Sequence, residues 1–180
     1  MELLWYFFFY SFLGFLLEKL YAAAIHATQR VRKCQLLLPL CPVYGLAMLA
    51  VLHLPPDMRD TPWRLWFYGA LTITAVEFVM HLIYDKLLGV RFWDYSATKM
   101  DVDGRICMPF SVVWGLLAVA AVYLVQPYLT ELARLLPPQL AYGLTLLLVV
   151  DAFFSARVLR QSRDVELMSL PRLLRYLRAS

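Results

Sequence analysis

Five long apolar runs separated by short polar stretches organise this 180-residue chain, at about 3–25, 36–54, 64–88, 111–128 and 139–160. A helix needs roughly 17–25 mostly apolar residues to cross a bilayer, so each run predicts a spanning helix. The first run lacks a basic leader, is too long for an export core and is interrupted by Glu18-Lys19, so it reads as a retained span. The second is irregular at its start. Pro39 and Pro42 in LLPLCPVYG break the helical hydrogen-bond ladder, and a regular helix is expected only from about Pro42. The expected fold is all-α: a polytopic membrane protein of about five transmembrane helices, with a broken second span. The connection 90–110 is expected to be a re-entrant or interfacial segment. Residues 1–162 form the transmembrane domain, and 163–180 a basic tail.

Composition supports the membrane reading. The chain is 62% hydrophobic and 17% charged, against roughly 45–50% and roughly 25% in soluble domains. With five spans, all but four of the 17 Lys and Arg collect on one side. Arg59, Arg64 and Arg134 fall on the other, and Lys19 lies within the first span. The positive-inside rule makes the crowded side cytoplasmic, with the N-terminus outside and the C-terminus inside. The net charge of +4 is therefore a topology signal and not nucleic-acid affinity. Trp5, Trp63 and Trp66 then mark the outer interface, Trp93 and Trp114 the inner one. Leu170, Leu173, Leu174 and Leu177, with Arg172, Arg175 and Arg178 on another face, predict an amphipathic helix on the anionic inner leaflet. Cys34, Cys41 and Cys107 have no disulfide or zinc spacing. No phosphate-cradling glycine loop is present, so no cofactor is expected, and any ATP-driven step needs a separate ATPase or other membrane subunit.

Against this background the charged groups inside the spans stand out. A carboxylate in hydrocarbon is costly and is a site candidate by default. Glu18 shares one face of the first span with Tyr10, Gly14 and Tyr21, while Glu77, His81 and Asp85 descend the third at steps of four. The start of the second span brings Cys41 and Tyr44, and the 90–110 connection brings Asp94, Tyr95, Ser96 and Arg105. These groups converge on the cytoplasmic half of the bundle, where Arg105 is expected to pair with Glu77 or Glu18. A pairing that only fixes helix packing is the alternative for both acids. For Asp151 a polar anchor and a site role stay equally open, and Asp94 either contributes to the site or caps its own loop. His81 beside carboxylates suits proton relay or metal binding, but one histidine is a weak metal signature. Cys41 reads as packing rather than as a nucleophile.

The stretches YSFLGFLLEKLY (10–21), CPVYG (41–45), VEFVMHLIYDKLLG (76–89) and WDYSATKMDVDGRICM (93–108), followed by WG (114–115), resemble the putative ABC-transporter type IV permeases, the CmpB-type bacterial membrane proteins. The resemblance covers roughly 6–130 and implies roles for Glu18, Cys41, Pro42, Tyr44, Gly45, Glu77, Trp93, Asp94, Tyr95, Ser96, Gly104 and Arg105. The chain departs from the family pattern at Phe15, His81, Asp85 and Asp101. The leading expectation is a permease component of the bacterial inner membrane, carrying a small solute or ion. Its expected binding residues are Glu18, Cys41, Tyr44, Glu77, His81, Asp94, Tyr95, Ser96 and Arg105. A membrane-embedded enzyme acting on a lipid or lipid-linked substrate at the inner leaflet ranks second, because no nucleophile–base–orienter set is recognisable. A non-catalytic accessory subunit is the third possibility.

Overall fold

The computed structural model describes residues 2–26 and 35–179, together with the side chains of most of them. Arg30, Arg32, Lys33 and Cys34 lie outside the described residues, as do the side chains of Leu170, Leu177 and Arg178. Helices account for nearly all of the regular structure: α1 (Glu2–Ala24), α2 (Pro42–Leu52), the single turn α3 (Pro56–Arg59), α4 (Pro62–Ile83), α5 (Met108–Ala120), α6 (Gln126–Leu135), α7 (Pro138–Ser162) and α8 (Leu170–Ala179). A two-stranded antiparallel hairpin, β1 (Asp101–Val102) with β2 (Ile106–Cys107), is set in the connection after α4.

Proline starts several of these helices. It occupies the first turn of α2, α4, α5, α6 and α7, where the missing N–H costs nothing and the fixed φ is already helical. Two helices run on through π-helical turns. Tyr84–Leu88 extends α4 and ends at Gly89, whose left-handed backbone (φ +69°) closes it. Ala121–Val125 joins α5 to α6, with the Gln126 N–H bonded to the Ala121 carbonyl five residues back. That wide turn accommodates Pro127, which in a regular helix lacks a donor and clashes with the carbonyl four residues earlier.

Among the described residues, four helical segments are long and apolar enough to cross a membrane: Glu2–Ala24, Pro62–Leu88, Met108–Leu135 and Pro138–Ser162. The expected span at 111–128 thus continues seven residues further, to Leu135, because Pro127 is absorbed instead of ending the helix. The expected second span, 36–54, is helical only over Pro42–Leu52, as the break before Pro42 requires. At 1.5 Å per residue its 11 residues rise about 16 Å, half of a roughly 30 Å hydrocarbon core.

α1 packs along α2, α2 against α4, and α4 along α5, while α6 returns to α1. One core cluster joins Trp5, Tyr6, Tyr10, Met48, Leu65 and Ala118. Trp5 belongs to it at 4% exposure, packed between helices, whereas Trp63, at 67%, is exposed. The second cluster, Leu36, Tyr84, Val90, Leu159 and Met168, ties α7 to the end of α4, and Leu173 of α8 packs against it.

Candidate functional site

Glu18 and Glu77 reach a common aromatic cluster from different helices. Tyr44, in the first turn of α2, donates its hydroxyl to Glu18 Oε1 at 2.6 Å. Glu77 of α4 is 6% exposed and receives two donors: the Tyr95 hydroxyl on Oε1 at 2.9 Å and the Trp114 indole N–H on Oε2 at 3.0 Å. The rings bridge the two acids. Tyr44 meets Trp114 edge-on at 5.9 Å, Phe110 lies 5.9 Å from Trp114, Tyr95 stacks on Phe110 at 5.0 Å, and Tyr21 meets Phe110 at 6.0 Å. Burial, followed by the Glu77 carboxylate, raises the Tyr95 phenol above its ordinary range, so it stays a protonated donor.

Two glycines permit this approach. A Cβ on Gly14 would lie 2.2 Å from the Tyr44 ring, and one on Gly45 would lie 2.3 Å from Ser11 Oγ and 2.6 Å from the Phe7 carbonyl. Tyr44 therefore sits on α1 only because Gly14 has no side chain there. Cys41 caps the start of α2, is 2% exposed, and donates its backbone N–H to the Ser11 carbonyl. Its place is within the α1–α2 joint.

The lower part of the expected polar stripe separates from Glu77. Arg105 was expected to pair with Glu77 or Glu18; it bonds instead to Asp85 Oδ2 through Nη2 (3.0 Å) and to His81 Nδ1 through Nη1 (2.9 Å). The reason is depth. Arg105 arrives on the hairpin at the level of Asp85, and eight residues separate that position from Glu77, about 12 Å of helix. Because guanidinium only donates, His81 Nδ1 accepts, which leaves Nε2–H to donate to the Trp93 carbonyl at 3.2 Å. This geometry makes His81 a neutral, fully engaged ring at 1% exposure, with no lone pair for a metal or a relayed proton.

The 90–107 connection is built as a cap over this cluster. The Trp93 indole donates to the Arg105 carbonyl (2.9 Å), and the Tyr95 N–H to the Gly104 carbonyl (2.8 Å). Gly104 has φ +67°, and a Cβ there would fall 2.5 Å from Asp94 Oδ1. Asp94 Oδ1 accepts from the Ser96 N–H at 2.9 Å, which together with the Ser96 hydroxyl and Arg91 holds the Asp94 carboxyl below its ordinary range. Asp94 and Ser96 are exposed and shape the loop, whereas Tyr95 points inward to Glu77.

Asp151 has a clear structural role. At 1% exposure it accepts from three consecutive backbone N–H groups: Leu36 (3.1 Å), Leu37 (3.0 Å to each oxygen) and Leu38 (2.7 Å). Ser155 adds its hydroxyl to Asp151 at 3.2 Å and accepts from Leu36 N–H at 2.8 Å. α7 thereby holds the segment that leads into α2. Sequence reasoning missed Trp114 as a partner of Glu77; its place one helical turn beyond Phe110 was the available signal.

Of the expected site residues, the structure brings Glu18, Tyr44, Glu77 and Tyr95 together. It assigns His81 and Arg105 to a neighbouring network, and leaves Cys41, Asp94 and Ser96 around the edge. No curated protein and no solved structure matches the chain. The model of the family described as putative ABC-transporter type IV matches residues 5–156, and with its apolar helices and matching motifs the chain belongs to that family.

Proposed function

We propose that the chain is the membrane component of a transporter for a small cationic solute, which binds between Glu18 and Glu77. The carrying observation is the pair of carboxylates bridged by aromatic rings, Glu18–Tyr44 and Tyr95–Glu77–Trp114. Acid and ring faces together attract cations. Arg105, the group that would favour an anion, is neutralised by Asp85 away from the acids. Lys86, Arg91, Lys99 and the tail arginines support a cytoplasmic placement of this end in a bacterial inner membrane, with the N-terminus of α1 outside. The basic helix α8 then lies on anionic headgroups. Energy comes from a separate ATPase subunit, docked on the same cytoplasmic face. The engaged nitrogens of His81 and the buried cap position of Cys41 favour transport over lipid chemistry.

The test is uptake into proteoliposomes from a panel of inorganic cations and small amines. Wild type is expected to accumulate at least one of them, and Glu77→Gln to lose that uptake while remaining monodisperse. Equal rates would remove Glu77 from the mechanism.

A further inference from the structure

A second polar network occupies the opposite end of the bundle, on the same helix that carries Glu18. Along α1, Glu2, Tyr6, Tyr10, Gly14 and Glu18 recur every four residues. Such a row is inclined to the helix axis, so it winds from one neighbour to the next. Its first half faces α6. Tyr6 Oη lies 3.0 Å from Glu2 Oε2 and 3.1 Å from Thr130 Oγ1. The Gln126 amide donates to Thr130 Oγ1 at 3.2 Å, and Tyr10 donates to Gln126 Oε1 at 2.9 Å, with the Ala121 carbonyl 3.4 Å away. That carbonyl belongs to the π-helical turn ahead of Pro127. The second half of the row faces α2, where the Tyr44 ring covers Gly14 and its hydroxyl meets Glu18.

Two features set this row apart from ordinary packing. It carries phenol, hydroxyl, amide and carbonyl oxygen along about 12 Å of helix from Glu2 to Tyr10, and Glu18 with the Tyr44 hydroxyl resumes it about 12 Å further on, within a roughly 30 Å hydrocarbon core where polar groups are costly. At its midpoint, beside Tyr10 and Gly45, Ser11 is fully buried and its Oγ has no hydrogen-bond partner. A buried hydroxyl left unpaired is an energetic cost that a passing ligand would remove. Arg134, the cationic neighbour of the row, stays at its mouth, 59% exposed and paired with Glu131 and Glu2.

We propose that this row is the far half of a cation path, an oxygen-lined lane from Glu2 to Ser11 that joins the Glu18 site when the Tyr44 ring leaves Gly14. The inference rests on the permease reading and extends it, with small monovalent cations (protons, alkali ions or ammonium) as the travelling class. Tyr44 is the plug: its ring separates Tyr10 from Glu18, and its hydroxyl is fastened to the acid that the cation would reach.

The full chain is reconstituted alone, and imposed proton, sodium and potassium gradients are followed with no ATPase subunit and no other solute added. Tyr44→Ala is expected to dissipate at least one gradient severalfold faster than wild type. Gln126→Leu in the same chain is expected to restore the seal, and Tyr44→Phe to stay sealed. The gradient that collapses names the cation. Tyr44→Ala vesicles that hold all three gradients overturn the lane, and so does a leak that survives Gln126→Leu. Should Tyr44→Ala fail to fold, Ser11→Cys decides, read against wild-type background with a small charged thiol reagent. Modification from the side of the α1 N-terminus supports the lane, while modification only from the other side, or none, overturns it. Lost uptake with an intact leak removes the permease reading alone; normal uptake with no leak removes the lane alone.

Discussion

Glu77 and Asp151 are both carboxylates buried in apolar helices, at 6% and 1% exposure, yet they are satisfied in opposite ways. Asp151 takes its hydrogen bonds from three successive main-chain N–H groups of one segment, plus a serine one turn away. Glu77 takes its bonds from the side chains of Tyr95 and Trp114, which stand on a loop and on another helix. Main-chain donors cannot rotate away, so Asp151 is a permanent fastening for the lead-in to α2. Side-chain donors turn on their own torsions, so their release from Glu77 is the step that the proposed function requires. Burial alone does not separate the two roles. The identity of the donors does.

The largest effect is expected at the fastening. Asp151→Ala takes the carboxylate from three N–H groups, of which Leu36 keeps the Ser155 hydroxyl, and at roughly 1–3 kcal/mol per unpaired donor the loss from Leu37 and Leu38 is about 2 kcal/mol or more. A marked fall in the unfolding midpoint in detergent would show it, and an unchanged midpoint would break the contrast. Gly14→Ala comes next. The added methyl collides with the Tyr44 ring, for about 1–3 kcal/mol of overpacking, and displaces the hydroxyl from Glu18. Tyrosine fluorescence and uptake should change together; a variant with native spectra and native uptake would place Tyr44 outside the site.

Glu77→Gln sharpens the comparison from the other side. An amide oxygen still accepts a donor, so stability should move by about 1 kcal/mol or less while uptake is lost. A destabilisation as large as that of Asp151→Ala would make Glu77 a packing device and erase the distinction. The smallest effect belongs to Asp94, which is exposed. Its carboxyl is held below the ordinary range by Ser96 and Arg91. It therefore supports the loop at pH above the ordinary carboxylate value of about 3.9, and that support disappears as pH falls through its lowered value. Proteolysis of the 90–107 connection should accelerate on acidification in wild type and show less pH dependence in Asp94→Asn.

Much of the frame was legible because apolar length and four-residue spacing are properties of single segments. The long helices, the break before Pro42, and the facing of Glu18, Tyr44 and Glu77 all follow from such local rules. What escaped depended on partners without a residue-type signature. Nothing in Leu36, Leu37 and Leu38 announces that their backbones, not their side chains, bind Asp151. Arg105 had several acids within plausible reach, and only the depth of the hairpin chose Asp85. The extension of the α5–α6 span to Leu135 was hidden because proline normally signals an end. The tail helix was expected from its leucine and arginine spacing and is helical over Leu170–Ala179; its contact with the leaflet remains part of the proposal.

The wide turn at Ala121–Val125 has a consequence for engineering this helix. One additional residue in a helix of 3.6 residues per turn rotates everything after it by about 100° relative to everything before it. Gln126, Thr130 and Ala133 owe their inward azimuth to that offset. A chimera that grafts α6 onto α5 without the turn, or a deletion of one residue within it, would preserve every amino acid of α6 and point the wrong side of it at α1.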